Sequence, residues 1–194
     1  MKLSEKKLQK KKEEIILSAV KIVNEKGYQG ATMEEIAAEL LMTKGSLYYY
    51  FKNKEDLIFQ CHVLVLDQGI KELEVIFNRE ISNEQKLKLM IASHIRFAIE
   101  KKETFNMIIK PEKTFHSEQL NPILQKRNEY SSWFDQVIEE GVKVGEFKIK
   151  ELKIVRMILL GAMNWIQQWY KPNGEKKIEE VQEIYEEYLM KVVK

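Results

Sequence analysis

The chain has 194 residues, of which 44% are hydrophobic and 32% charged, a globular composition that excludes a disordered or fibrous protein. With only 3 Pro and 8 Gly, a turn-rich all-β fold is excluded as well. The net charge of +2 is uninformative as a total, but residues 1–54 hold 11 Lys against 7 Glu, so a basic front is joined to a slightly acidic remainder. A single cysteine, Cys61, leaves no disulfide framework and no multi-cysteine zinc site. The opening MKLSEKKLQKKKEE lacks the apolar segment of a signal peptide, and the longest uncharged run, Met157 to Tyr170, is too short to span a bilayer. The expected location is the cytoplasm, with no membrane association.

Helical periodicity runs through the chain, and no segment alternates as a strand would. A first helix is predicted over Lys7 to Lys26, with Ile15, Ile16, Ala19, Val20, Ile22 and Val23 inward and Gly27 as its stop. Lys6, Lys7, Lys10, Lys11 and Lys12 form either a solvated charge run or a DNA-directed arm. Thr32 stands three residues before Glu35, the spacing of a capping box, and predicts a short helix from Met33. Thr43 opens a second short helix, TKGSLYYYF, and Asn53 with Asp56 caps a long helix from Lys54 to Asn78.

Further helices are expected over Glu84–Lys101, Thr104–Ile109, Asn121 to Val144, Glu151–Tyr170 and Ile178–Val193. Asn121-Pro122 supplies a cap and first turn for the third of these, and Gly145 its end. The expected fold is all-α with nine helices. A DNA-binding domain is placed at residues 10–70 and a larger domain at 71–194.

Three short helices within fifty residues, the third behind a tight turn, describe a helix-turn-helix. The residues carrying this pattern are Gly27-Tyr28, Thr32 with Ile36-Ala37, the run Thr43 to Phe51, and Lys54-Glu55 with Leu57. Over about sixty residues they resemble the DNA-binding domain of the TetR family of repressors. The helical period independently turns Leu47, Tyr50 and Phe51 inward, and turns Tyr48 and Tyr49 outward with Thr43, Lys44 and Ser46. Gly45 lets backbone approach closely, and Thr32 and Lys54 stand at helix starts where phosphate can meet exposed N–H groups. The expected DNA-binding residues are therefore Thr32, Thr43, Lys44, Gly45, Ser46, Tyr48, Tyr49 and Lys54. Leu41 occupies a turn position where the family often has glycine. If that turn needs positive φ, leucine is strained there.

Glu151–Tyr170 is apolar almost all round, which requires cover on two sides. The last helix sets Ile178, Val181, Tyr185, Tyr188 and Val192 at a pairing spacing. The resemblance implies a homodimer through these two helices. The segment from Gly161 to Val181 is similar to TetR-family repressors of fatty-acid and steroid breakdown, whose effectors are acyl-coenzyme A thioesters. Trp165 and Trp169 are either core or the wall of a ligand chamber, and Leu57, Cys61 and Leu64 are further candidates for its lining.

The expectation is a repressor released from a palindromic double-stranded DNA operator by a small apolar effector, a fatty acyl-CoA. A repressor of an efflux gene responding to hydrophobic drugs, an enzyme with an apolar pocket, and a non-specific DNA binder are the rivals. No catalytic constellation, cofactor or metal is expected. Cys61 and His62 are sequence neighbours pointing about 100° apart on one helix, and no phosphate loop or H-E-x-x-H occurs.

Overall fold

A computed structural model describes residues 3–102, 104–105 and 115–194. It is helical throughout, with no strand among the described residues. In chain order the helices are α1 Leu3–Gly30, α2 Met33–Glu39, α3 Lys44–Tyr48, α4 Lys54–Phe77, α5 Asn83–Glu100, α6 Ser117–Lys143, α7 Leu152–Asn164, α8 Ile166–Trp169 and α9 Ile178–Met190. Beyond Thr104 and Phe105, the short helix expected to Ile109 lies outside the described residues.

Two compact units divide the chain, one from Met1–Val65 with Glu103–Ile123, the other from Leu66–Lys102 with Leu124–Lys194. In the first, the predicted inner face of α1 is buried throughout, from Ile15 to Val23. The same unit buries Met33, Ile36 and Ala37 of α2, Leu47 and Phe51, and Leu57, Ile58, Cys61 and Val65 of α4. Each fully buried branched side chain of this set contributes about 1.5–3 kcal/mol. Asn24 adds a polar tie, its Oδ1 accepting both the Thr104 N–H and the Thr104 hydroxyl at 3.2 Å.

The second unit buries Ile70, Leu73 and Ile76 of α4 with Leu87, Met90, Ile91 and Ile95 of α5. Phe134, Val137 and Ile138 of α6 and Val155, Leu159 and Met163 of α7 complete that core. Here α5 packs against α7, α8 and α9.

Backbone conformation explains the helix ends. Gly27 has φ 73°, which breaks α1 where the sequence placed its stop, and Gly145 at φ 81° follows α6. Two predicted boundaries are corrected. First, α6 begins at Ser117 rather than at Asn121, so Pro122 lies inside the helix. The carbonyl its ring opposes belongs to Glu118 in the first turn, where the helix is free to tilt, so the proline is tolerated. Second, the single helix expected over Glu151–Tyr170 carries a local irregularity at Trp165, whose backbone stays helical at φ −73° and ψ −16°. Gln167 Nε2 donates to the Asn164 carbonyl at 3.4 Å, while the Gln168 N–H turns to the Trp165 carbonyl at 3.0 Å. The side chain thus takes the acceptor that a continuous helix would give to residue 168.

Leu41, between α2 and α3, is the sole non-glycine with positive φ among the described residues, at 53°. It is 97% exposed, so no packing compensates the left-handed strain of about 1–2 kcal/mol. Glycine regains part of that through its freedom in the unfolded chain, about 0.5–1 kcal/mol. Leu41→Gly is therefore expected to stabilise the protein by about 0.5–1 kcal/mol in urea unfolding. A destabilised variant would show that the leucine side chain contributes a contact of its own.

Candidate nucleic-acid interface

The recognition surface is built on α2, α3 and the start of α4. Thr32 caps α2, its Oγ1 accepting the Glu35 N–H at 3.1 Å while Glu35 Oε2 accepts the Thr32 N–H at 3.3 Å. Thr43 caps α3 in the same way through the Ser46 N–H at 3.1 Å, and the Thr43 and Ser46 hydroxyls lie 2.8 Å apart. At α4, Asn53 Oδ1 accepts the Asp56 N–H at 2.8 Å and Asp56 Oδ2 accepts the Lys52 N–H at 3.0 Å. These caps hold three helix starts in fixed relation to their preceding turns.

Helical direction sorts the α3 side chains. Leu47 and Phe51 are fully buried and Tyr50 is half-buried, whereas Tyr48 is 44% and Tyr49 76% exposed. Tyr49 meets Tyr50 edge-on at 5.2 Å. A Cβ placed on Gly45 would approach nothing closer than Thr43 Oγ1 at 3.9 Å, so internal packing does not require glycine there. The Lys44 ammonium lies 5.9 Å from the Tyr48 ring and forms an ion pair with Glu34 of α2. Thr43, Lys44, Gly45, Ser46, Tyr48 and Tyr49 thus share one exposed strip. Hydroxyls, phenols and a cation of this kind suit phosphate and base-edge contacts.

Lys54 is half-buried with its ammonium 4.4 Å from the Tyr28 ring, and burial lowers its pKa from the ordinary value. The lysines 6, 7, 10, 11 and 12 stand on the first turns of α1, not on an extended arm. Lys11 pairs with Glu14, and Lys12 sits 5.4 Å from the Phe51 ring.

Leu57 and Cys61 are fully buried and Leu64 is half-buried, all in the first unit. Trp165 and Trp169, in the second, are exposed at 66% and 46%, and Trp169 stacks on Tyr185 at 6.3 Å. On α7 the apolar surface divides. Val155, Leu159 and Met163 turn inward, while Ile154, Met157 and Ile158 turn outward. On α9, Ile184 and Tyr188 are exposed, but Val181 of the expected pairing seam is buried.

The titratable interior does not assemble a reaction centre. Burial pushes the Cys61 thiol up, away from thiolate chemistry, and pushes His62 down to about 4. Among the described residues no three His, Cys, Asp or Glu are grouped to hold a metal. Asp67 is exposed and paired with Lys126.

One polar cluster had no signal in the sequence. His94 Nε2 lies 3.1 Å from Asn164 Oδ1, and His94 Nδ1 lies 2.9 Å from the Tyr130 hydroxyl. Because the carboxamide oxygen only accepts, the proton resides on Nε2 and the tyrosine donates to Nδ1. Separations of 70 and 36 residues hide this arrangement from any local pattern.

Residues 15–61 match the bacterial regulatory proteins of the tetR family, and residues 80–193 match the tetracyclin repressor-like C-terminal domain. The fatty acid metabolism regulator protein of Bacillus subtilis is 26% identical over 168 residues, 84% of each chain. The HTH-type transcriptional repressor KstR2 of Rhodococcus jostii is 25% identical over 181 residues, 89% of this chain and 85% of that one. The crystal structure of FadR from Bacillus subtilis in complex with stearoyl-CoA has the same fold. It aligns with a TM-score of 0.76 and 22% identity, over 93% of this chain and 98% of that one. The chain belongs to the TetR family of DNA-binding transcriptional regulators. Among the described residues no helix is long and apolar enough to cross a membrane.

Acid should weaken the fold through its buried histidines. His62 and His94 are both held near 4 by burial, below the ordinary 6.5. The unfolded chain therefore binds more protons between those values, and stability falls as pH drops from 6.5 toward 4. The loss is up to about 3 kcal/mol per histidine. Urea midpoints should decline between pH 7 and pH 5, and less steeply in His94→Gln. A flat profile would show that neither imidazole is kept neutral by burial.

Proposed function

We propose that this regulator is a homodimeric repressor that binds a palindromic operator through the exposed strip of α3 and leaves it when a fatty acyl-CoA binds. The observation that carries the reading is the sorting of α3, with Leu47 and Phe51 in the core and Lys44, Ser46, Tyr48 and Tyr49 outside it. A five-residue helix held by its core side can enter a major groove with its other side. Two copies related by a dimer axis would meet half-sites one helical turn, or a multiple, apart.

Dimerisation is assigned to α7 and α9. Ile154, Met157, Ile158, Ile184 and Tyr188 are large apolar side chains left exposed in the single chain, and a second copy would cover them. The effector assignment draws on the names of similar proteins, a fatty acid metabolism regulator and a FadR bound to stearoyl-CoA. Leu57, Cys61 and Leu64 of α4 are the residues to test for contact with an acyl chain. Trp165 and Trp169 are candidates for ligand contact that their fluorescence can report.

Tyr48→Ala and Lys44→Ala are expected to weaken operator binding without loss of folding. The lysine variant should also lower the salt slope by about one. Leu47→Ala and Phe51→Ala should instead destabilise the protein by about 2–5 kcal/mol, as core truncations do. Gel shifts at several salt concentrations beside thermal melts separate the two groups. An unchanged shift for Tyr48→Ala would overturn the face assignment.

Operator release is to be measured against acyl-CoA thioesters of graded chain length, with free fatty acids and cationic dyes as controls. Release by long-chain thioesters, with a change in Trp165 or Trp169 fluorescence, is the expected result. An inducer must bind the DNA-incompetent state more tightly, and that difference limits the shift it can cause. Release by dyes and by no thioester would remove the effector assignment and leave DNA binding intact.

A further inference from the structure

The three glutamates of α2 are each met by a lysine, and the three pairs do not face the same way. Lys21 and Lys26 of α1 take Glu39 at 3.1 Å and Glu35 at 2.6 Å. Glu34 is met instead by Lys44, the cation of the recognition helix. Glu34 is 58% and Lys44 51% exposed at the side chain, so the pair lies in solvent on the α3 side of α2. Glu35 is further committed to the Thr32 cap. Glu34 has no capping task, and Lys44 is its one partner among the described residues.

We infer that Glu34 is a specificity-determining residue, which restrains Lys44 and penalises binding to DNA of the wrong sequence. The inference rests on the DNA-binding reading of α3. To reach a phosphate, Lys44 must leave Glu34, and the abandoned carboxylate then faces a polyanion. On duplex of arbitrary sequence both effects oppose binding, because backbone neutralisation supplies nearly all of the attraction there. On the operator the carboxylate can be compensated, since a base edge carrying an amino donor in the major groove, above all cytosine N4, accepts an acidic partner. A carboxylate beside the recognition helix therefore suppresses the general mode more than the specific one.

The electrostatics of the free protein agree. Lys44 holds the Glu34 carboxyl below the usual carboxylate range, and Glu34 raises the Lys44 ammonium. The pair is therefore fully charged across the physiological range. Being exposed, it adds little to stability, so its loss leaves the fold intact and the effect is readable in binding alone.

The test uses the full-length protein and two probes, each about two helical turns long. One is a duplex selected from a random pool by the wild type, and the other is the unselected pool. Glu34→Gln is expected to bind the unselected pool about fivefold more tightly. It should also steepen the log–log salt dependence by about 0.9, the value for one more phosphate contact. Its gain on the selected duplex should be smaller or reversed, so the specificity ratio falls. In a Lys44→Met background the steepening of the salt dependence should vanish, and only the smaller gain from removing the carboxylate's own repulsion should remain.

Glu39→Gln, which removes an α2 carboxylate on the α1 side, controls for charge alone and should change the pool affinity less. Equal gains for Glu34→Gln and Glu39→Gln, persistence of the steeper salt dependence without Lys44, or no gain at all would each overturn the proposal. Failure of the wild type to enrich any sequence would instead overturn the DNA-binding reading itself.

Discussion

The rotation of α3 about its own axis is the constraint on which the proposed DNA-facing surface depends. Five residues of helix have little stability of their own, because nucleation costs more than so short a ladder returns. The orientation is imposed from outside, by Leu47 and Phe51 set into the core of α1, α2 and α4 and by the Thr43 cap at the start. Once those two side chains are buried, a step of about 100° per residue leaves Tyr48 and Tyr49 no inward position. The exposed strip is thus a consequence of core packing, and the chemistry offered to DNA is read off what the core does not use.

Much of this was legible in the sequence because it is local. The Thr32–Glu35 box, the Gly27 stop, the inner face of α1 and the split of the YYYF run each depend on residues within one or two turns. The strain at Leu41 was legible in the same way, as a residue in a place that favours glycine. What was missed depends on residues distant in sequence or on side-chain competition for backbone. At Trp165 the Gln167 side chain donates to the Asn164 carbonyl, a local irregularity on which the apolar pattern is silent. The start of α6 at Ser117 was hidden by Pro122, which resembles a first-turn signal but sits one turn further in.

The polar interior shows what such distant contacts contribute. His94 ties α5 to Asn164 at the end of α7 and to Tyr130 of α6, and each of its ring nitrogens has a defined role. Burial keeps the imidazole neutral, so the cluster supplies direction without a buried charge. Asn164 is also the last residue of α7, and Trp165 next to it is exposed. The cluster therefore ties the last residue of α7 to α5 and α6.

Charge follows the same logic of local compensation. The first 54 residues carry a lysine surplus, yet the lysines nearest the recognition helix are not simply a positive field. Lys21, Lys26 and Lys44 are each matched by a glutamate of α2. Lys54 is drawn over Tyr28, and Lys12 over Phe51. The exposed side of α3 is then made of hydroxyls and phenols with an ion-paired cation, while Lys6, Lys7 and Lys10 stand on the early turns of α1. On the proposed reading, attraction at a distance and discrimination at contact fall to different residues. Long-range attraction acts through net charge and is screened over about 8–10 Å at physiological salt. Discrimination needs donors and acceptors held within hydrogen-bond reach of a base edge, which is what a core-locked α3 provides.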